Sequence, residues 1–186
     1  DGEILFTERM ATDSGKTELD YAISLKMVLE LREIKVSEIT GAIIGSVVPP
    51  VTSLMREAIR KVTGQEALVV NVDMNIGLEV LMDNPSSVGT DLIVGAVAGI
   101  NRYPVPLILI DMGTATTICV VNENKQYIGG MILPGIGVSM NSLTSRTAQL
   151  PRISLDPPKR LIGKNTVECM QSGALYGNAS CIDGMV

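Results

Sequence analysis

The chain has 186 residues, of which 46% are hydrophobic and 19% charged, a balance that predicts a packed core and excludes a disordered chain. Its net charge of −5, with no block of Lys or Arg, argues against nucleic-acid binding, which needs a basic face. Histidine is absent, so Ser-His-Asp triads, Cys-His pairs and imidazole zinc sites are excluded within these residues. Any chemistry here has to run on carboxylates, hydroxyls, lysines and backbone amides.

The expected elements alternate along the chain. Asp1-Gly2 reads as a hairpin turn and residues 3–7 as the strand after it, with no strand before. A helix is expected over residues 17–34 and a strand over 39–48. Residues 51–62 carry the cleanest helical period, with Val51, Leu54, Met55, Ala58, Ile59 and Val62 on one face, Pro49-Pro50 ahead and Gly64 as the stop. Strands are expected at 67–72 and 78–82, then an apolar helix at 88–100 packed on several sides. Residues 106–110 form a buried strand running into Asp111, the chain continues as a strand to Val121, turns at 122–124 and returns through 127–133. That hairpin makes the sheet mixed. Helices are expected at 137–150 and from Asn165 to the end, where the helical pattern is still running at Val186. Both ends therefore read as cut.

The longest strictly apolar run, residues 92–100, falls well short of the roughly 20 residues that span a bilayer. Cys119, Cys169 and Cys181 stand far apart without a CxxC pair, which suits reduced thiols in a cytosolic protein. With no leader visible, the expected location is the cytoplasm.

Several segments are suited to phosphate chemistry. Asp111-Met-Gly-Thr-Ala-Thr-Thr117 sets a carboxylate beside small residues whose N–H groups can approach a phosphate, though Asp-x-Gly also begins many ordinary loops. Val88-Gly-Thr-Asp91 places a carboxylate in a helix's first turn. There it either complements the helix dipole or accepts a proton from a substrate hydroxyl. In Ile162-Gly-Lys-Asn-Thr-Val-Glu168, Asn165 and Glu168 fit a capping box, and Lys164 and Thr166 stand at the helix mouth. The paired glycines of Gly129-Gly-Met-Ile-Leu-Pro-Gly135 suit a bulge, and its Pro-Gly a turn.

Together with Ser46-Val-Val-Pro-Pro-Val51 and Asp83-Asn-Pro-x-x-Val-Gly-Thr-Asp91, these segments resemble the type III pantothenate kinase family in order and spacing over essentially the whole chain. The resemblance implies a duplicated ribonuclease-H-like fold of the actin and sugar-kinase superfamily, α/β with mixed sheets flanked by helices. It implies two lobes, residues 1–105 and 106–186. It also implies transfer of a phosphoryl group from ATP, with Mg2+, to pantothenate, giving 4'-phosphopantothenate on the route to coenzyme A, by a homodimer. Carried over position by position, Asp91 corresponds to the catalytic proton acceptor, and Gly89, Thr90, Asp91 and Leu92 lie against pantothenate, as does Thr166. Gly113 and Thr114 correspond to ATP contacts, and Asp111 to the ligand of a monovalent cation, K+ or NH4+.

The chain departs from the family in three places. The family's opening strand carries an Asp-x-Gly-Asn-Thr phosphate loop that does not occur here, and its later Gly-Gly nucleotide segment is also missing. Many members have Arg after the catalytic Asp and Tyr before Asp-Asn-Pro, where this chain has Leu92 and Met82. Leu92 cannot replace a guanidinium, which leaves pantothenate to be held by other groups. The rival expectations are a regulatory relative without turnover and a non-enzymatic nucleotide-dependent binding module on the same fold. The Gly-Lys-Asn-Thr segment, which belongs to the substrate side, favours the kinase.

Overall fold

In the computed structural model, which describes residues 2–186, the first regular element is not the expected strand. Residues 3–7 form none, and Ile4 and Leu5 are exposed. A strand is stabilised by its neighbour, and no strand among the described residues pairs with this one. Asp1 of the expected turn lies outside the described residues.

The chain divides into two compact units: one holds the chain up to Ile76 with Asn84–Val94, the other Gly77–Asp83 with Gly95–Val186. In the first, helix α1 (Glu18–Leu31) opens on a complete capping box. The Thr17 hydroxyl accepts from the Asp20 N–H, and the Asp20 carboxylate accepts from the Thr17 N–H at 2.8 Å. Helix α2 (Pro49–Thr63) begins on proline and ends where Gly64 takes a left-handed conformation, φ 69°, that a side chain would oppose. Its periodic face does what the spacing predicts. Val51 and Ala58 are buried against Tyr21 and Ala22 of α1, with Leu54, Met55 and Val62 alongside.

Two polar contacts tie these helices down. The Tyr21 hydroxyl both donates to and accepts from the Asp13 backbone at 2.9 Å. Lys61 donates to Glu18 at 2.8 Å, and this bond holds the Glu18 carboxyl below its ordinary range. A depressed folded-state pKa contributes stability above the unfolded value, and that contribution is lost as pH falls through the carboxylate range. The expected strands at 39–48 and 67–72 shrink to β1 (Ile43–Ile44) and β2 (Leu68–Val69), paired in parallel.

Helix α3 (Thr90–Arg102) follows a 3-10 turn at Pro85–Ser87. It is not buried on several sides as expected: Ile93, Ala96 and Ile100 form one buried stripe, while Val94 is 46% exposed. The second unit holds a mixed sheet in the order β3-β6-β5-β4. Its strands are β3 (Glu79–Val80), β4 (Leu107–Met112), β5 (Ala115–Val121) and β6 (Gln126–Pro134). Only β3 and β6 pair in parallel, and β4–β5–β6 form the expected antiparallel run. The register slips between Val120 and Val121, opposite Gly129 at φ 128°, so the paired glycines do serve a bulge.

Ile118 and Val121 fill the core on β5. By contrast β4, expected to be buried, alternates between half-buried and exposed because it is the sheet's edge. Helices α4 (Ile136–Arg146) and α5 (Thr166–Met185) pack through Met140, Met170 and Ala174. No described helix is long and apolar enough to cross a membrane.

Candidate functional site

The described residues present the candidate side chains in two groups, one in each unit. In the first unit, Thr90 opens α3 and its hydroxyl donates to the Ser46 carbonyl at 2.8 Å. The Ser46 hydroxyl in turn accepts from the Val48 N–H at 3.1 Å. Thus the Ser-Val-Val-Pro-Pro segment and the Gly-Thr-Asp segment, 44 residues apart at this bond, hold each other. Asp91 is exposed, and its Oδ1 accepts from the Leu92 N–H at 2.9 Å. A Cβ on Gly89 would overlap that same Oδ1, so glycine leaves the carboxylate room beside the turn. Leu92 is half-buried behind it.

In the second unit, Asp111 lies within β4 near its end, and Gly113-Thr114 make the turn into β5. Asp111, Gly113 and Thr114 are all exposed. The strand expected to run buried into Asp111 is an edge strand, and that position leaves the carboxylate open to solvent. Its cross-strand partner is Thr117, whose Oγ1 is buried without a hydrogen-bond partner, as is that of Thr116. Buried hydroxyls are normally paired, so two orphans on the strand leaving this turn set it apart from an ordinary hairpin.

The turn is braced from behind. The Gly113 N–H donates to the Ala115 carbonyl, and the Gly135 N–H donates to the Thr114 carbonyl, both at 3.0 Å. Gly135 sits so close that a Cβ there would overlap the Gly113 and Thr114 carbonyl oxygens. The Pro-Gly segment thus packs backbone on backbone against the Gly-Thr turn.

Thr166 is the first residue of α5, exposed, and lines an apolar cavity of about 360 Å³ between α4 and α5 with Ile136, Met140, Leu143 and Cys169. Asn165 caps the helix, accepting from the Glu168 N–H at 2.9 Å. The reciprocal bond of the expected capping box is displaced by one residue: Glu168 accepts from the Lys164 N–H at 3.1 Å. Lys164 itself is exposed at the helix mouth.

These features describe a mixed α/β protein that offers a glycine-threonine turn beside a carboxylate, and a second carboxylate at a helix start: the parts of a phosphotransferase. A family model for type III pantothenate kinase matches residues 1–186. The type III pantothenate kinase of Bacillus cytotoxicus is 44% identical over 186 residues, covering 100% of this chain and 71% of that protein. The chain belongs to the type III pantothenate kinase family. A crystal structure titled as a conserved putative Baf family transcriptional activator from Campylobacter jejuni aligns with a TM-score of 0.43 and 21% identity, over 63% of this chain and 54% of that one.

Sequence reasoning missed three features. The Thr90–Ser46 bond joins distant segments, and neither residue's neighbours announce it. The Thr117 hydroxyl has a weak signal, since it falls opposite Asp111 once the hairpin register is drawn. A basic cavity alongside α4 shows in sequence only as two arginines in a stretch without acids.

Proposed function

We propose that this protein transfers the γ-phosphoryl group of ATP, taken with Mg2+, to the primary hydroxyl of pantothenate, giving ADP and 4'-phosphopantothenate for coenzyme A synthesis. The observation that carries this reading is family membership across the whole chain together with Asp91 at the open start of α3. Asp91 takes the hydroxyl proton as the oxygen forms its bond to the γ-phosphorus and the bond to ADP breaks. Gly89, Thr90 and Leu92 line the acceptor. Because the Thr90 hydroxyl proton is committed to Ser46, Thr90 serves partly to fix the loop that presents Asp91. Thr166 contacts pantothenate from the mouth of α5.

Gly113 and Thr114 receive ATP: the Thr114 hydroxyl is directed at phosphate oxygens, while Gly113, whose N–H is committed to the Ala115 carbonyl, shapes the turn. Asp111 is the residue that would hold a monovalent cation, K+ or NH4+; its cross-strand neighbour Thr117 has a buried hydroxyl without a hydrogen-bond partner. Such a cation, when bound, offsets charge at the nucleotide phosphates. The chain forms two lobes of a duplicated ribonuclease-H-like fold, residues 1–105 and 106–186, and works in the cytoplasm. The test is an assay of ADP and phosphopantothenate together. Both are expected to form in equal amounts in potassium or ammonium salts, with activity falling sharply in tetramethylammonium. ADP release without phosphopantothenate would overturn the acceptor assignment, and equal rates in tetramethylammonium would remove the cation from Asp111.

The active form is a two-fold homodimer. Exposed apolar side chains on α3 and α5, among them Val94, Val167 and Tyr176, supply surface for a partner copy. Sedimentation at micromolar concentration is expected to give the mass of a dimer, and a monomer would count against the assignment.

A further inference from the structure

Alongside α4, from Val138 in its first turn to Arg146 at its end and on to Arg152, runs a cavity that the reading of the reaction does not use. It measures about 640 Å³, within the roughly 300–1,000 Å³ typical of small-molecule sites. Asn141, Ser142 and Ser145 line it from one face of α4, at the spacing i, i+1, i+4 that a helix brings to one side. Arg146, the last residue of α4, and Arg152, on the segment after it, complete the polar wall.

The electrostatics of this wall are one-sided. Among the described residues no Asp or Glu lines the cavity, and the sequence from Asn124 to Leu155 contains none, in a chain whose net charge is −5. The nearest carboxylate in the following sequence, Asp156, already accepts from the Ser154 hydroxyl at 2.5 Å. Among the described residues neither Arg146 nor Arg152, both exposed, has an ion pair or side-chain hydrogen bond; Arg9, Arg102 and Arg160 are likewise unpaired, whereas Arg32, Arg56 and Arg60 are each paired with a glutamate. The Asn141 amide and the Ser142 hydroxyl make no side-chain hydrogen bond there either, while the Ser145 hydroxyl donates to the Ser142 carbonyl at 3.3 Å.

Arg146 alone has a structural explanation, because a cation at a helix C-terminus complements the dipole. Arg152 lies outside the helix and has no such role. Two guanidinium forks with an amide and a hydroxyl supply more donors, and more positive charge, than a single carboxylate can use. They match a phosphate group, which has three acceptor oxygens and close to two negative charges.

We infer that this cavity is a binding site for a phosphate-bearing small molecule, separate from the Gly113-Thr114 turn. That turn is braced by Gly135 at the opposite end of α4, and a helix of 11 residues is about 15 Å long. A phosphate group held by Arg146 and Arg152 therefore does not compete for the phosphate position at the turn, although the cavity's lining starts at Val138. The site stands whether or not the acceptor is pantothenate.

Inorganic pyrophosphate, titrated calorimetrically into the full protein without divalent metal, is the probe. Binding is expected, weakened about tenfold or more in Arg146→Gln/Arg152→Gln, because charge-assisted hydrogen bonds are lost from both forks. Arg146→Lys/Arg152→Lys, which keeps the charge and loses the fork, is expected to weaken it several-fold and guards against a folding defect in the first variant. In Thr114→Ala the arginine-dependent binding should persist. Succinate, a dianion of carboxylates, should bind more weakly than pyrophosphate. Undiminished binding in both arginine variants, no binding at millimolar pyrophosphate, loss of all binding in Thr114→Ala, or equal affinity for succinate would each overturn the assignment.

Discussion

Asp91→Asn is expected to lower kcat by about 10²–10⁴-fold, the range for a positioned acid–base group, while leaving the KM for pantothenate nearly unchanged. The substitution is close to isosteric, and the carboxamide oxygen of the variant can still accept from the Leu92 N–H, as Asp91 does at 2.9 Å. Gly89 leaves the same room for either side chain. What changes is the ability to take the hydroxyl proton as the phosphorus–oxygen bond forms. The competing explanation is that Asp91 complements the dipole of α3, a contribution of about 0.3–1 kcal/mol. On that account the variant would melt slightly lower and turn over at the wild-type rate. Steady-state kinetics and a thermal melt on the same preparation separate the two, and wild-type turnover would remove Asp91 from the chemistry.

The sequence revealed the elements whose stability is local, and it was least informative where stability comes from a partner. The face of α2 from Val51 to Val62, with proline at one end and Gly64 at the other, determines a helix by itself, and α2 forms with those limits. The capping box at Thr17 is carried by the residues themselves, but its spacing also suits an ordinary polar turn. The strands behaved differently. Residues 3–7 have strand composition yet form no strand, and the runs expected at 39–48 and 67–72 contract to two paired residues each, because ladder bonds rather than composition set a strand's length.

The candidate site divides along the same line. Asp91, Asp111, Thr114 and Thr166 could be named as candidates because their segments are contiguous. Their surroundings could not. The exposure of Asp111 follows from the edge position of β4, and the commitment of Thr90 to Ser46 follows from a contact across 44 residues.

Gly135→Ala is expected to have the largest effect on stability of any single methyl addition near the Gly113-Thr114 turn. Backbone conformation is not the obstacle, since Gly135 sits at φ −63° and ψ 159°, where alanine is comfortable. Space is the obstacle. The new Cβ would fall 2.5 Å from the Thr114 carbonyl oxygen and 2.9 Å from the Thr114 carbonyl carbon, and it would overlap the Gly113 carbonyl as well. These are backbone atoms of a tight turn, so they cannot swing aside as the end of a side chain would. Relief requires the two segments to part, which breaks the 3.0 Å bond from the Gly135 N–H to the Thr114 carbonyl.

Overpacking of this kind costs about 1–3 kcal/mol, and for a chain of this size each kcal/mol lowers Tm by roughly 2–4 °C. A drop of several degrees is therefore expected, with a raised KM for ATP because Gly113 and Thr114 move together. Gly137→Ala provides the control, two residues further on in α4 with nothing within 4 Å of its added Cβ. That variant should melt at or slightly above the wild type, since alanine favours a helix over glycine. If Gly135→Ala instead melts with the wild type and keeps its KM for ATP, the Pro-Gly segment does not brace the turn, and the placement of the nucleotide phosphates against Thr114 loses its structural support.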